Sequence, residues 1–297
     1  GASASSRAIA LVTSAGFAQA YRRTGVSLSV SAIAGEGTGM ERDHDYSAAC
    51  HFEDLKTPQE VGKSAGKRAV KRLNARKIAS QAVTVIYDRR VASSLLGHLS
   101  SAINGAAIAR GTSFLKSKMG QQIFSKGISV IDDPLRLSGL ASQPFDGEGL
   151  SSSRRELIAD GILTGWVLDL RSARQLGLPP TGNGSRGLSS PPGPSTSNLH
   201  LKPGQLSPEE MIGSLKQGLY ITELIGNSVN LVTGDYSRGA SGFWIENGEL
   251  AFPVSEITIA GNLGDMFMTL EPANDLIFKS STNAPACRVE GLTIAGT

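Results

Sequence analysis

Apolar and polar residues alternate along several stretches of this chain, as they do in strands with one buried face. Residues 26–34 follow this pattern, and residues 40–52 follow it again after a glycine-rich segment, so the two stretches predict a hairpin. Two later pairs of apolar runs are separated by Asp160-Gly161 and by Asn247-Gly248. Both dipeptides favour two-residue hairpin turns, because the turn residues need a positive φ. Further apolar runs predict strands at 83–87 and 287–295.

A capped helix is predicted directly after the first hairpin. Thr57 is its N-cap, Pro58 takes the first helical position and Glu60 completes a capping box. One side of this helix carries an apolar stripe, formed by Val61, Ala65, Ala69 and Leu73. The opposite side is expected to be a solvated basic face, with Lys63, Lys67, Lys71 and Arg72.

Three more segments have helical patterns, and one long segment has none. A buried helix is predicted over 91–109, a helix capped by Ser207 over 207–219, and a short helix over 262–270. Residues 179–203 are rich in Gly, Ser and Pro, which predicts a long loop without regular structure.

Composition indicates a globular protein, since 40% of the residues are hydrophobic and 19% are charged. A net charge of +3 is too small to indicate a nucleic-acid partner. Cys50 and Cys287 form no disulfide framework, and neither a bilayer-spanning apolar run nor a signal-peptide pattern is found. We therefore expect a cytoplasmic protein. Because the chain begins at Gly1 and not at Met, we also expect further residues upstream.

Two apparent phosphate-binding motifs lack the surrounding structure that phosphate binding requires. Gly62-Lys63-Ser64 lies inside the capped helix and lacks the first glycine of a P-loop. Residues 182–187 fit G-x-G-x-x-G, but no strand precedes them and no helix follows. The basic residues between Lys63 and Lys77 lack the interleaved aromatics of a nucleic-acid site, so we interpret them as a solvated face.

Metal ligands are sparse. The densest group is His44, Asp45, Cys50 and His51, but a strand rising ~3.3 Å per residue would hold His44 and Cys50 roughly 20 Å apart. His98 lies on a predicted apolar helix that lacks a neighbouring Glu and a second His one turn later. A single histidine in such a place is typical of a hydrogen-bonded core residue. The residues by themselves therefore predict no zinc site.

The approach to the last hairpin is lined by small residues. Gly234, Gly239 and Gly242 keep bulky side chains away from this backbone, as a nearby ligand or strand would require. Turn and bulge glycines are the structural alternative. Pro253 cannot donate a ladder hydrogen bond, so the second strand is expected to lie at an edge or to carry a bulge there.

Ordered blocks along nearly the whole chain resemble the TldE/PmbA family. The most informative is the hairpin segment 229–261, which includes V-T-G-D-Y-S-R-G-A-S-G-F-W. The other blocks are residues 27–31, 88–99, 102–115, 132–135, 144–149, 172–178 and 196–201. The resemblance implies an α+β fold of the TldD/PmbA type. It places the end of an α/β N-terminal domain in residues 1–80 and a β-rich, mostly antiparallel C-terminal domain in residues 81–297.

The family also implies a function. TldD proteins carry zinc on an H-E-x-x-x-H helix with a C-terminal Cys ligand, and they pair with TldE-type subunits to cleave peptides, including unfolded or leader segments, inside a chamber. Here the equivalent helix, residues 95–108, lacks the Glu and the histidine pair, and Cys287 falls in the last strand. The resemblance therefore implies a non-catalytic subunit without its own metal. Zinc is expected in a TldD-type partner of a heterodimer, and a homodimer is the alternative for the isolated chain.

In that role the chain would complete the chamber and bind an extended peptide. Main-chain hydrogen bonds from a sheet edge suit such a peptide, and the glycine-lined backbone at 234–242 is the expected place. The candidate substrate-binding residues are Asp146, Glu148, Asn183, Arg186, Tyr236, Arg238 and Ser241. For each of them a structural turn role is the alternative.

Two rival functions stay open at this point. One is an independent metallohydrolase whose ligands the sequence does not reveal. The other is a regulator of DNA gyrase, suggested by the family's older name, modulator of DNA gyrase, and by the basic helix.

Overall fold

A computed structural model describes residues 1–296, apart from the side chain of Asn227. The strands are β1 Ala2–Val12, β2 Ala18–Ala34, β3 Glu41–Ala49, β4 Gln81–Tyr87, β5 Val130–Asp132, β6 Arg155–Ala159, β7 Ile162–Leu163, β8 Gly184–Ser185, β9 Gly193–Pro194, β10 Leu199–Leu201, β11 Gln217–Val229, β12 Asp235–Glu246, β13 Glu249–Asn262, β14 Glu271–Pro272, β15 Thr282–Asn283 and β16 Cys287–Ala295. The helices are α1 Pro58–Lys71, α2 Arg89–Ala102, α3 Gly105–Ala109, α4 Leu170–Leu176, α5 Pro208–Gly213 and α6 Leu263–Thr269.

The centre of the molecule is a closed barrel. Strands pair in the order β13-β12-β11-β4-β16, and β13 also pairs with β16, which closes the ring. All of these pairings are antiparallel except β11 with β4. At the tip of the β12–β13 hairpin, Asn247 and Gly248 have φ values of 50° and 83°, as the sequence predicts for a two-residue turn.

A second sheet packs against helix α2, on the side away from the barrel. Its strand order is β15-β10-β5-β6-β7, and its Asp160-Gly161 turn also has positive φ values, 48° and 79°. Helix α2 contacts β4 and β11 of the barrel on one side and β10 and β15 of this sheet on the other. Leu95, Leu96 and Leu99 are consequently buried in the main hydrophobic core. The α+β class predicted from the sequence is confirmed.

The first three strands form a separate sheet in the order β1-β2-β3, and α1 packs on β2 and β3. The Thr57–Glu60 capping box is present, and Val61, Ala65 and Ala69 are buried as predicted. Strand β3 carries an acid at every second position: Glu41, Asp43 and Asp45. Successive side chains of a strand point to opposite faces, so these acids share the face that α1 covers.

Arg72, at the end of α1, joins this sheet to the barrel. Its side chain is only 10% exposed and contacts carboxylates from both parts, with Nη2 2.5 Å from Glu223 Oε2 and Nε 3.3 Å from Glu41 Oε2. Nη2 also donates to Ser241 Oγ at 2.9 Å, and Nη1 lies 3.9 Å from Asp43 Oδ2. The expected solvated position of Arg72 is therefore wrong, because the acids of β3 and β11 draw it inward. Lys63, Lys67 and Lys71 are exposed as expected.

Three other expectations about local structure need correction. The predicted helix over 91–109 is broken after Ala102, since Asn104 caps a new helix by accepting a hydrogen bond from Ala106 N. The helix predicted over 207–219 keeps its Ser207 cap but ends at Gly213, and β11 begins at Gln217. The loop at 179–203 contains β8, β9 and the fully buried β10, which tertiary pairing orders despite the local composition.

Pro253 lies between two irregularities of the β12–β13 ladder, as its missing N–H predicts. It is not at a free edge, because Arg76 N donates to its carbonyl oxygen. The helices among residues 1–296 include none with the length and hydropathy to span a bilayer.

Replacing Arg72 by Met should lower the free energy of unfolding by about 3 kcal/mol, because buried carboxylates would lose their charge partner. Chemical denaturation followed by circular dichroism measures this change. Lys71→Met, at the exposed neighbouring position, is the matched control and should change stability by less than about 0.5 kcal/mol. Equal effects of the two substitutions would contradict the buried network.

Candidate peptide-binding site

A long hairpin arm, β1 and β2, packs against a loop of the C-terminal part of the chain. The rings of Phe17 and Tyr21 contact Phe145 edge to face, with centroid distances of 5.0 and 5.1 Å. Such aromatic pairs stabilise a contact beyond the area that they bury. Arg23 also donates to the carbonyl oxygen of Leu140. The arm is thereby held at a defined position beside residues 140–149.

Asp146 fixes the neighbouring loops to one another. It is 1% exposed, and its Oδ1 accepts hydrogen bonds from the backbone N–H groups of Glu148 and Leu150, both at 2.9 Å. Its Oδ2 accepts from Gly184 N at 2.8 Å. Gly147 N in turn donates to Gly184 O at 2.6 Å. The carboxylate is fully used in joining residues 146–150 to residue 184.

Asn183 and Glu148 stabilise the same loops. Asn183 Nδ2 donates to Asp132 Oδ2 at 2.8 Å, and its side chain is 5% exposed. Glu148 Oε2 accepts from Leu170 N at 2.7 Å. Burial raises the pKa of Glu148 above its ordinary value, although the bond from Leu170 opposes the change.

Between the arm and these loops lies an open cleft of about 480 Å³. Arg186 is exposed on one wall, and Tyr21 and Arg23 form part of the other. The cleft also runs beside residues 9–11 of β1. Two of the seven candidate residues, Asp146 and Arg186, line this cleft, whereas Glu148 and Asn183 belong to the same loops but do not line it.

Strand β1 presents an open edge along this cleft. Gly1 and Ser29 exchange backbone hydrogen bonds, and Thr13 N donates to Phe17 O, so the odd-numbered residues of β1 bond to β2. The even-numbered residues direct their N–H and C=O groups away from β2; they are Ala2, Ala4, Ser6, Ala8, Ala10 and Val12. Within residues 1–296 no other strand pairs with this edge.

The other three candidates lie elsewhere. Tyr236 is 1% exposed, and its hydroxyl is 3.5 Å from that of Tyr87 in the core. Arg238 lies two residues further along β12, and its Nε is buried without a hydrogen-bond partner among the described residues. Ser241 is part of the Arg72 network. The structure thus does not bring these three to the cleft.

The expected strand addition at 234–242 is wrong in its location. These residues belong largely to β12, which is hydrogen-bonded to β11 on one side and to β13 on the other. Its backbone has no free edge for a peptide. The glycines serve close strand packing instead, since a Cβ on Gly242 would lie 2.0 Å from Tyr220 O.

Local sequence patterns do not identify the residues that form the arm side of the cleft. Ile9, Leu11 and Tyr21 alternate with small or polar residues, which is a strand signal, but nothing local links them to Phe145. Their partner is more than a hundred positions away, and only the tertiary structure supplies that contact.

Comparison with known proteins decides the family. The family model for the PmbA/TldA metallopeptidase C-terminal domain matches residues 80–296, and the model for the central domain matches residues 1–73. The chain belongs to the PmbA/TldD family. The resemblance drawn from the sequence blocks is confirmed.

Curated relatives in the PmbA/TldD family carry metalloprotease names. Metalloprotease PmbA of Escherichia coli O157:H7 is 42% identical over 282 residues, which cover 95% of this chain and 61% of the relative. A Metalloprotease PmbA homolog of Haemophilus influenzae is 36% identical over 285 residues, with the same coverage of 95% and 61%. The chain therefore spans about three fifths of the length of these relatives.

Solved structures agree with this fold. A crystal structure from Bacteroides thetaiotaomicron, named as a candidate modulator of DNA gyrase, has a TM-score of 0.91 and 29% identity, covering 100% of this chain and 65% of that one. TldE from Thermococcus kodakarensis has a TM-score of 0.90, covering 99% and 68%. At 23% identity the latter likeness shows the fold alone.

A zinc ion of the kind that the resemblance implies for TldD proteins would need ligands on and around α2. His98 is the histidine of α2, and its ring contacts Tyr236 with a centroid distance of 5.8 Å. Burial and then the charge of Arg238 lower the pKa of His98 to about 4. Burial also raises the pKa of the Cys287 thiol, whereas a metal binds the thiolate.

The described residues do not complete a ligand set around His98. Residues 1–296 contain no group of three or more His, Cys, Asp or Glu side chains arranged to hold a metal ion. A zinc ion beside His98 would moreover face the positive charge of Arg238. The residues present around α2 therefore do not fit the family's metal.

An NMR titration of the His98 imidazole should give a pKa of about 4. Arg238→Gln should raise this pKa, but not to 6.5, because burial continues to oppose the charged form. The unfolded chain takes up the proton at higher pH, so this histidine lowers stability as the pH falls from 6.5 towards 4. Arg42→Gln, at a side chain that is 72% exposed, is the control and should leave the pKa unchanged. A pKa near 6.5 in the unaltered chain would refute the buried site.

Proposed function

We propose that this chain is the non-catalytic subunit of a heterodimeric metallopeptidase of the TldD/TldE type. It completes the peptide chamber and binds the extended substrate, while a TldD-type partner holds zinc and cleaves the peptide. The protein acts in the cytoplasm, in keeping with its two unpaired cysteines, Cys50 and Cys287.

The observation that carries this proposal is the environment of α2. Family resemblance places the zinc helix at residues 95–108, which cover the end of α2 and most of α3, yet this segment offers a single histidine, His98. Its ring lies edge to face with Tyr236 and adjacent to the charge of Arg238. Such a histidine is held neutral by its surroundings. A subunit with this helix depends on a partner for metal-assisted hydrolysis.

Peptide binding is supported by the open edge of β1. An extended peptide added there would pair with the outward N–H and C=O groups of the even-numbered residues, and main-chain bonds of this kind accept many sequences. The cleft beside residues 9–11 would receive alternate side chains of the peptide. Exposed Arg186, which lines the cleft, is the proposed polar contact, and part-buried Glu148 supports the adjoining loop by accepting from Leu170 N.

The remaining candidate residues act indirectly, by stabilising the structure around the cleft. Asp146 and Asn183 hold the loops of the cleft through bonds that leave their polar atoms occupied. Tyr236, Arg238 and Ser241 maintain the barrel and its junction with the first sheet. Their substitution would alter peptide binding through the shape of the site.

Zinc and activity measurements on the chain alone and with a TldD-type subunit test the assignment. The chain alone should contain close to no zinc and should not cleave an unfolded peptide, whereas the two together should co-elute and cleave it. His98→Gln in this chain should change the rate of the pair by less than about twofold, because the imidazole holds no metal. One tightly held zinc per chain, with hydrolysis that His98→Gln abolishes, would establish an independent metallohydrolase instead.

Ala10→Pro tests the peptide-binding edge. It removes an N–H that points away from β2, so the β1–β2 ladder and the stability of the chain should be kept. Binding of an extended peptide to the pair should weaken by about fivefold, as expected for the loss of one hydrogen bond. The control is Ala10→Ser, which keeps the N–H and should bind normally. Unchanged binding by Ala10→Pro would exclude strand addition at this edge.

A further inference from the structure

The arm formed by β1 and β2 carries positive charge and no acid. Arg7, Arg22 and Arg23 are the only charged side chains in residues 1–35. The opposite wall of the cleft includes residues 184–188, which belong to a segment, residues 170–208, that also contains no Asp or Glu. In that segment Arg186 is exposed and lines the cleft. Basic side chains therefore flank the cleft on both sides.

Two of these arginines lie directly opposite each other. The register of the β1–β2 ladder pairs Arg7 with Arg23, so their Cα atoms lie roughly 5.5 Å apart and their side chains share one face of the arm. Ile9 and Leu11 lie on that face too, with Tyr21 opposite Ile9. Like charges in directly opposite positions destabilise a sheet. The pair therefore weakens the arm unless a negative group lies beside it.

The described residues do not supply that negative group. Arg7, Arg23 and Arg186 form no ion pair within residues 1–296. Asp146 is the one acid among the residues that line the cleft, and it is 1% exposed. Both of its carboxylate oxygens accept hydrogen bonds from backbone N–H groups. The cleft consequently presents cations to a ligand without a competing exposed carboxylate on its walls.

The open edge of β1 determines where an added peptide would place its side chains. The peptide backbone would bond to the even-numbered residues of β1, and alternate peptide side chains would share the face of the odd-numbered ones, whichever direction the peptide runs. A peptide side chain opposite Arg7 would thus lie beside Arg7, with Arg23 next across the arm. The side chains two and four positions away would lie beside Ile9 and Leu11, which are apolar and half-buried.

We propose that the peptide bound in this cleft carries an acidic side chain beside Arg7 and apolar side chains two and four residues away. The carboxylate compensates the like-charged pair of Arg7 and Arg23, and Arg186 on the facing wall adds to the attraction. A nucleic acid would also attract arginines, but it offers no aliphatic side chains to Ile9 and Leu11. The inference rests on the proposed function, because it takes strand addition at β1 as the mode of binding.

Calorimetric titration of the 297-residue chain at low ionic strength tests this inference. The peptide acetyl-Ser-Glu-Ser-Leu-Ser-Leu-Ser-Glu-Ser-amide has a palindromic sequence, so either direction of binding places a Glu beside Arg7. It should bind about tenfold more tightly than the same peptide with Gln in place of both Glu residues, because partly solvated ion pairs each contribute a few-fold. The isomer acetyl-Ser-Ser-Glu-Leu-Ser-Leu-Glu-Ser-Ser-amide directs Glu and Leu to opposite faces and should bind about fivefold more weakly than the first peptide.

Arg7→Gln should weaken binding of the Glu peptide by about fivefold and leave binding of the Gln peptide unchanged. Arg22→Gln is the matched control, since it removes the same charge from the same arm, but residue 22 is paired with Ala8 and faces away from the cleft. It should change either affinity by less than about twofold. Arg7→Gln should also raise the temperature of thermal unfolding, because the repulsion from Arg23 is relieved.

The outcomes separate this inference from the proposed function. Equal affinity for the Glu and Gln peptides, with both weakened by Ala10→Pro, would overturn the acid preference and leave strand addition intact. Equal effects of Arg7→Gln and Arg22→Gln would also overturn it, because the overall charge of the arm would then attract the peptide. No saturable binding of either peptide would overturn both proposals. A single-stranded oligothymidylate should bind more weakly than the Glu peptide, and tighter binding that Arg7→Gln weakens would assign the cleft to a nucleic acid instead.

Discussion

The arrangement of the molecule depends on one buried ionic network around Arg72. This arginine ends α1 and contacts Glu41 and Asp43 of the first sheet together with Glu223 of the barrel. Because a buried charge without a partner is costly, the two parts of the chain have one favourable way to meet. Arg90 extends the network by pairing with Asp43 from the start of α2.

Two of the openings in the structure follow from this junction. With β3 held against α1 and the barrel, the β1–β2 arm extends to the loops at 140–149, where aromatic packing completes the cleft. At the same junction the acids of β3 pair with Arg68 and Arg90, while Arg89 lies 3.9 Å from Asp275 and Lys279 lies 3.9 Å from Asp45. The same charge pairs thus border a smaller cavity at the junction, and they help to position the arm that forms one wall of the cleft beside β1.

Helix α2 shows how a family fold supports different chemistry. It is buried between the barrel and the second sheet, which is a position that shields a reaction from water. In this chain the same shielding lowers the pKa of His98 and raises that of Cys287. A metal would need the opposite electrostatic surroundings, with anionic ligands in place of Arg238. The proposal of a paired, non-catalytic subunit rests on this mismatch.

Local signals in the sequence determined the hairpin turns at Asp160-Gly161 and Asn247-Gly248, the capped start of α1 and the buried stripe of that helix, because each depends on neighbouring residues alone. The sequence blocks also identified the family, since their order over most of the chain is specific. Only the tertiary structure decided that Arg72 points inward, that β12 is internal and that residues 199–201 form a buried strand. It also grouped Asp146, Glu148, Asn183 and Arg186, and it separated them from Tyr236, Arg238 and Ser241. The physical reason is that burial, charge pairing and strand neighbours depend on contacts between residues far apart in the chain. Local periodicity carries no information about such contacts.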